Sequence, residues 1–148
     1  MIGLPPFLRN LLGHRPEALQ VAAICRRGRG KEAEVLLVSS LDTKRCIVPK
    51  GWPMRGKTLA EAALREAWEE AGVRGHVNAD PIGAFHYTKR RKNGLEQRCK
   101  VLCFVVDVEG LDDDYPEAGR RARQFVSPKA AAKRVQEREL KQILRTFS

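Results

Sequence analysis

Residues 51–73 read Gly-Trp-Pro-Met-Arg-Gly-Lys-Thr-Leu-Ala-Glu-Ala-Ala-Leu-Arg-Glu-Ala-Trp-Glu-Glu-Ala-Gly-Val. Thr58 is a helix N-cap, and Glu61 three residues on completes a capping box. Leu59 through Ala71 are good helix formers with no internal Gly or Pro,. Gly72 supplies a left-handed stop. On such a helix Glu66, Glu69 and Glu70 stand at i, i+3 and i+4 and share one face. Ala60, Leu64, Ala67, Trp68 and Ala71 fall on roughly the opposite face and are expected to enter the core.

Like charges at this spacing destabilise a helix by about a few tenths of a kcal/mol per pair. A hard divalent cation offsets that repulsion, since Mg²⁺ takes oxygen ligands and bridges carboxylates to phosphates. Arg65 reaches Glu69 at i+4 and is expected to orient it. Gly51 at the loop entrance lets the backbone approach a metal or phosphate closely.

Outward from this segment, Gln20–Cys25, Glu34–Ser39, Arg45–Pro49 and Lys100–Val108 read as strands,. Arg26–Lys31 reads as a hairpin loop, and Val77–Tyr87 as a strand region interrupted at Asn78–Pro81,. Leu111–Arg123 is a charged loop ahead of a short strand at Phe125–Val126. Ser127-Pro128 opens a helix, and a further helix is expected over 136–147. Strands with one central and two C-terminal helices favour a mixed sheet between helices, an α/β (α+β) fold. Residues 1–17 read as an N-terminal arm and 18–148 as a single domain.

The chain has 148 residues, 43% apolar and 31% charged, with a net charge of +10. That is the composition of a folded domain rather than a disordered chain. No apolar run approaches the ~20 residues of a membrane helix, and the N-terminus lacks a signal-peptide layout. A cytoplasmic protein without a membrane partner is therefore expected. The four cysteines form no CxxC pair, so they read as buried thiols.

The positive charge attracts polyanions. Its clusters are Arg45, Lys50, Lys89-Arg90-Arg91-Lys92 and Arg120-Arg121. Arg suits bidentate phosphate contact and Lys point-charge contact. RNA competes as a partner, but the two Trp, two Tyr and five Phe rarely interleave with the basic residues,. His86 reads as structural. Trp52 reads either as a stacking surface or as loop packing.

Gly51, Arg65-Glu66-Ala67, Glu69-Glu70 and Gly72-Val73 together resemble the Nudix box. Lys57 stands where the family carries glutamate. Glu34–Ser40, Ile47-Val48-Pro49, Glu69–Val73 and Gly119-Arg120-Arg121 leading to Phe125 are similar to the diphosphoinositol-polyphosphate and diadenosine-polyphosphate hydrolase branch. The resemblance implies a Nudix α/β/α sandwich whose loop–helix–loop crosses the sheet. It implies Mg²⁺ or Mn²⁺ held by Glu66, Glu70 and the Gly51 carbonyl. Glu69 would be a ligand or the general base, and Arg65 would orient the carboxylates.

The resemblance also implies cleavage of a diphosphate bond in a polyphosphorylated small molecule. Removal of 5′ pyrophosphate from RNA, nucleoside-triphosphate sanitation, and a binding module that has lost catalysis are the alternatives. Activity is expected to survive Lys57, with Glu61 taking over part of the missing glutamate's role.

Overall fold

The computed structural model describes residues 16–147. The expected N-terminal arm therefore lies, apart from Pro16 and Glu17, outside the described residues. Among the described residues, eight strands form one mixed sheet. They are β1 (Ala18–Arg27), β2 (Glu34–Ser39), β3 (Cys46–Ile47), β4 (Lys50–Gly51), β5 (Val73–Val77), β6 (Gly83–Arg90), β7 (Glu96–Leu111) and β8 (Arg123–Val126). Three helices accompany them: α1 (Leu59–Ala71), α2 (Pro128–Arg134) and α3 (Arg138–Arg145).

β1 is central. It runs parallel to β7 from Ala18↔Cys99 to Arg26↔Asp107. Its other edge meets β4 antiparallel at Val21 and Ala22, and β2 antiparallel at Arg26 and Arg27. A strand with layers on both faces should be apolar without alternation, and Val21 through Cys25 are fully buried. Val21, Ala23 and Cys25 pack with α1, while Ala22 and Ile24 pack with α2 and α3. The strand's period of two thus builds two cores, one on each side of the sheet, giving the expected α/β/α sandwich.

Several boundaries differ from the sequence reading. The expected strand over 45–49 is β3 and β4, split at Val48-Pro49. Pro49 has no N–H to give a ladder, and its carbonyl instead accepts from the Ala23 amide at 2.9 Å. The stretch read as an interrupted strand, Val77–Tyr87, holds only the last residue of β5 and the first part of β6, which runs on to Arg90. β5 already begins at Val73 and carries a bulge between Arg74 and Gly75. On α1 it is the alanines 60, 62, 63, 67 and 71 that are buried, whereas Leu64 is half-buried and Trp68 sits at the flank. Its Nε1–H donates to Asp112 at 3.0 Å. Small side chains let α1 lie close on the sheet, which leaves no room for the indole beneath it.

Among the described residues no helix is long and apolar enough to cross a membrane. Cys25, Cys46, Cys99 and Cys103 are free thiols, and all but the half-buried Cys46 are buried.

Candidate active site

The helix that carries the glutamates is fixed at both ends. The Thr58 amide donates to Glu61 Oε1 at 2.8 Å, and the Glu61 amide donates to Thr58 Oγ1 at 3.1 Å. Gly72 closes the other end at φ 69°. Arg123 completes that end by donating to the Ala71 carbonyl at 2.7 Å and to the Asp112 carbonyl at 2.9 Å.

Rotation about the α1 axis separates the three glutamates. Glu66 and Glu70 turn toward the sheet and line a cleft of about 920 Å³ together with Lys50 and Gly51. Glu69 lies on the outer flank, where Arg65 donates to it at 2.9 Å. Arg65 also stacks over Trp68, 4.7 Å from the ring centroid. It therefore orients Glu69 and not the cleft pair. Among the described residues, no three His, Cys, Asp or Glu side chains converge as a ready-made metal site.

Glu70 is buried, accepting from the Lys50 amide at 2.8 Å and from Arg121 at 3.1 Å. Burial pushes both cleft carboxyls up to about 7. For Glu66 repulsion from Glu69 and then Glu117 adds to burial, and Arg121 and Arg65 offset only part of it. For Glu70 the Arg121 pair and the Lys50 amide pull the other way, and Glu66 and Glu117 oppose them. This pair is short of positive charge, as a cation site requires.

Gly51 packs against Glu66. A Cβ built on it would overlap that carboxylate, with Oε2 at 2.7 Å. The missing side chain makes the cradle in which the carboxylate sits. The donor set and the cradle both fit a hard divalent cation held by Glu66, Glu70 and the Gly51 carbonyl.

The cleft's remaining lining is basic. Arg45, Lys50, Lys89, Arg90, Arg91 and Arg121 all line it, as expected, joined by Lys92. The β6–β7 hairpin, turning at Gly94 (φ 82°), delivers the four-residue basic run. Lys89 reaches over Trp52 on the opposite lip, 5.2 Å from the centroid.

Two basic residues depart from expectation. Arg120 does not line the cleft: it is exposed in the turn closed by its amide on the Glu117 carbonyl at 3.0 Å. Arg121 lines it but is already engaged by Glu70, by Glu117 at 3.1 Å and by the Ser39 carbonyl at 3.0 Å. It serves as counter-ion more than as an open phosphate ligand.

Lys57 is exposed behind α1, beside Arg65 and Arg74 and away from the cleft. Glu61 caps the helix and stands beside Lys57 on that same side. His86 is structural: Nδ1 meets Glu139 at 3.0 Å and Nε2 meets Glu17 at 3.3 Å.

Sequence reasoning missed Glu117. Its amide donates to the Glu69 carbonyl at 3.0 Å, and its charge is felt by both cleft glutamates. Its i,i+4 spacing to Arg121 was the available signal.

The NUDIX domain model matches residues 16–147. The chain belongs to the Nudix family. Nudix hydrolase 12, mitochondrial, of Arabidopsis thaliana is 35% identical over 101 residues, covering 66% of this chain and 50% of that protein. Diphosphoinositol polyphosphate phosphohydrolase 3-alpha of Mus musculus is 35% identical over 115 residues, covering 74% of this chain and 66% of that protein. This Nudix chain spans about half the length of the plant relatives it matches. Its fold is that of the Caenorhabditis elegans Ap4A hydrolase binary complex, with a TM-score of 0.64 at 20% identity, covering 86% of this chain and 93% of that one.

Proposed function

We propose that this Nudix protein is a Mg²⁺- or Mn²⁺-dependent pyrophosphohydrolase acting on a highly phosphorylated small molecule, in the class of diadenosine or diphosphoinositol polyphosphates. The observation that carries this is the cleft itself. A carboxylate pair, Glu70 buried and Glu66 half-buried against Gly51, faces a wall of Arg and Lys side chains.

Glu66, Glu70 and the Gly51 carbonyl would hold the cation. When bound, it supplies Lewis acidity at phosphoryl oxygens and makes water a better nucleophile. Arg121 keeps Glu70 aligned and offsets part of the burial that raises its pKa. Arg45, Lys50 and the hairpin cations Lys89, Arg90 and Arg91 bind and orient the remaining phosphates. Glu69, held by Arg65, and Glu117 are the two further carboxylates near the pair, each able to accept a proton from attacking water. The named activities of the mouse and worm relatives support the substrate class. Residues 18–148 act as one catalytic domain in this account.

The test is a substrate panel with Mg²⁺ and Mn²⁺: diadenosine polyphosphates, inositol pyrophosphates, nucleoside triphosphates and capped RNA. Anhydride cleavage in one of the first two classes, ahead of the others, is expected. No cleavage anywhere, or capped RNA outpacing the small molecules, overturns the proposal.

A further inference from the structure

Behind the cleft floor lies an acid with no part in the chemistry above. Glu137 precedes α3, and its side chain, only 9% exposed, turns inward instead of capping the helix. Ser127, in the same position ahead of α2, does cap, accepting from the Ala130 amide at 3.2 Å. Glu137 Oε2 accepts from Arg45 at 3.4 Å. Oε1 is buried with no hydrogen-bond partner among the described residues.

A buried carboxylate oxygen without a partner is costly, and an apolar side chain would remove the cost. The surroundings show where the charge acts. Burial and then Glu137 push the Cys103 thiol up to about 12.

Lys50 and Arg45 are two like charges lining one cleft, and Glu137 meets Arg45 from the protein side. Lys50 also connects two parts of the site. Its amide donates to Glu70, while its ammonium lies over the Tyr87 ring, 4.9 Å from the centroid.

We infer that Glu137 is a positioning residue that holds Arg45 in place next to Lys50 as a second phosphate subsite, beside the carboxylate pair. It anchors Arg45 from the protein side and leaves its other N–H groups to the cleft. The ligand is a phosphate group of the substrate other than the one at Glu66 and Glu70. The inference rests on the polyphosphate reading.

The test is a double-mutant cycle on the full chain with Mg²⁺ present, titrating methylenediphosphonate, a diphosphate analogue that resists hydrolysis. Glu137→Gln keeps the shape and removes the charge. It is expected to weaken binding about tenfold, the scale of one charge-assisted hydrogen bond. Arg45→Gln is expected to do the same, and the double variant to bind no worse than Arg45→Gln alone. In turnover the loss falls on KM rather than kcat.

Unchanged binding in Glu137→Gln, or additive losses in the double variant, overturns the inference. If Glu137→Gln fails to fold, Arg45→Gln on its part-exposed side chain carries the test, and unchanged binding there overturns it. A wild-type chain that does not bind the analogue overturns instead the polyphosphate reading beneath it.

Discussion

Gly51→Ala isolates the cradle from the rest of the fold. Gly51 has no positive φ, so alanine is compatible with its backbone. On that ground alone the change contributes about 0.4–1 kcal/mol of stability through the unfolded chain. The new methyl group meets the Glu66 carboxylate, whose farther oxygen is 2.7 Å away. To reach the ~3.5–4.0 Å of ordinary contact that oxygen must retreat by roughly 1 Å. The carboxylate ends a flexible side chain in a half-open cleft, so it can move at small cost to stability. A reacting group misplaced by about 1 Å costs roughly a hundredfold in rate. The expected outcome is kcat/KM down about a hundredfold in Mg²⁺, with the melting temperature within about 3 °C of wild type. Steady-state hydrolysis and thermal unfolding of the two proteins measure both. Wild-type kcat/KM in Gly51→Ala would refute the placement of Glu66 at the reacting centre. A collapse in melting temperature would show that Gly51 is structural instead.

The metal-free protein has its own pH signature. Glu66 and Glu70 titrate near 7 when folded against an ordinary 4.5, so their contribution is full below about pH 4.5 and is lost as the pH rises through 7. With EDTA present, the melting temperature should fall between about pH 5.5 and pH 8. Glu66→Gln should flatten that fall and Mg²⁺ should reverse it, whereas a flat wild-type profile would contradict the burial of the pair. Arg121→Met leaves Glu70 and Glu117 without their shared partner and should cost about 3 kcal/mol in urea unfolding at pH 8; a loss under about 1 kcal/mol would make the pairing incidental. Lys57→Glu, on an exposed residue behind α1, should leave kcat/KM within about threefold of wild type. A tenfold gain would show that the departure from the box matters to catalysis. Under native conditions a thiol reagent should modify Cys46 alone quickly, because Cys25, Cys99 and Cys103 are buried,.

What was legible in the sequence was what is local. Thr58, Glu61 and Gly72 specify α1 within one or two turns, and the structure contains that cap and stop. The apolar run at 20–25 announced a strand, and the structure covers it on both faces. The rotation of α1 against the sheet was not legible. Helical spacing places Glu66, Glu69 and Glu70 together, but packing of the alanines decides that two face the cleft and Glu69 faces Arg65. β5 escaped because Gly72 and Gly75 punctuate a short mixed segment whose pairing to β7 is long-range. Arg120 and Arg121 are neighbours in sequence, yet the turn over Glu117–Arg120 sends one outward and the other to Glu70. Glu137 meets Arg45 across 92 residues, a contact no local pattern encodes.

Phosphorus NMR of a diadenosine or inositol pyrophosphate, followed in Mg²⁺ with the wild-type chain and with Glu66→Gln in parallel, bears on the carboxylate pair without intermediaries. The account predicts steady anhydride cleavage by wild type, its abolition by EDTA, and a loss of at least about a hundredfold in Glu66→Gln. Cleavage of equal rate in both proteins, or cleavage that persists in EDTA, would contradict it.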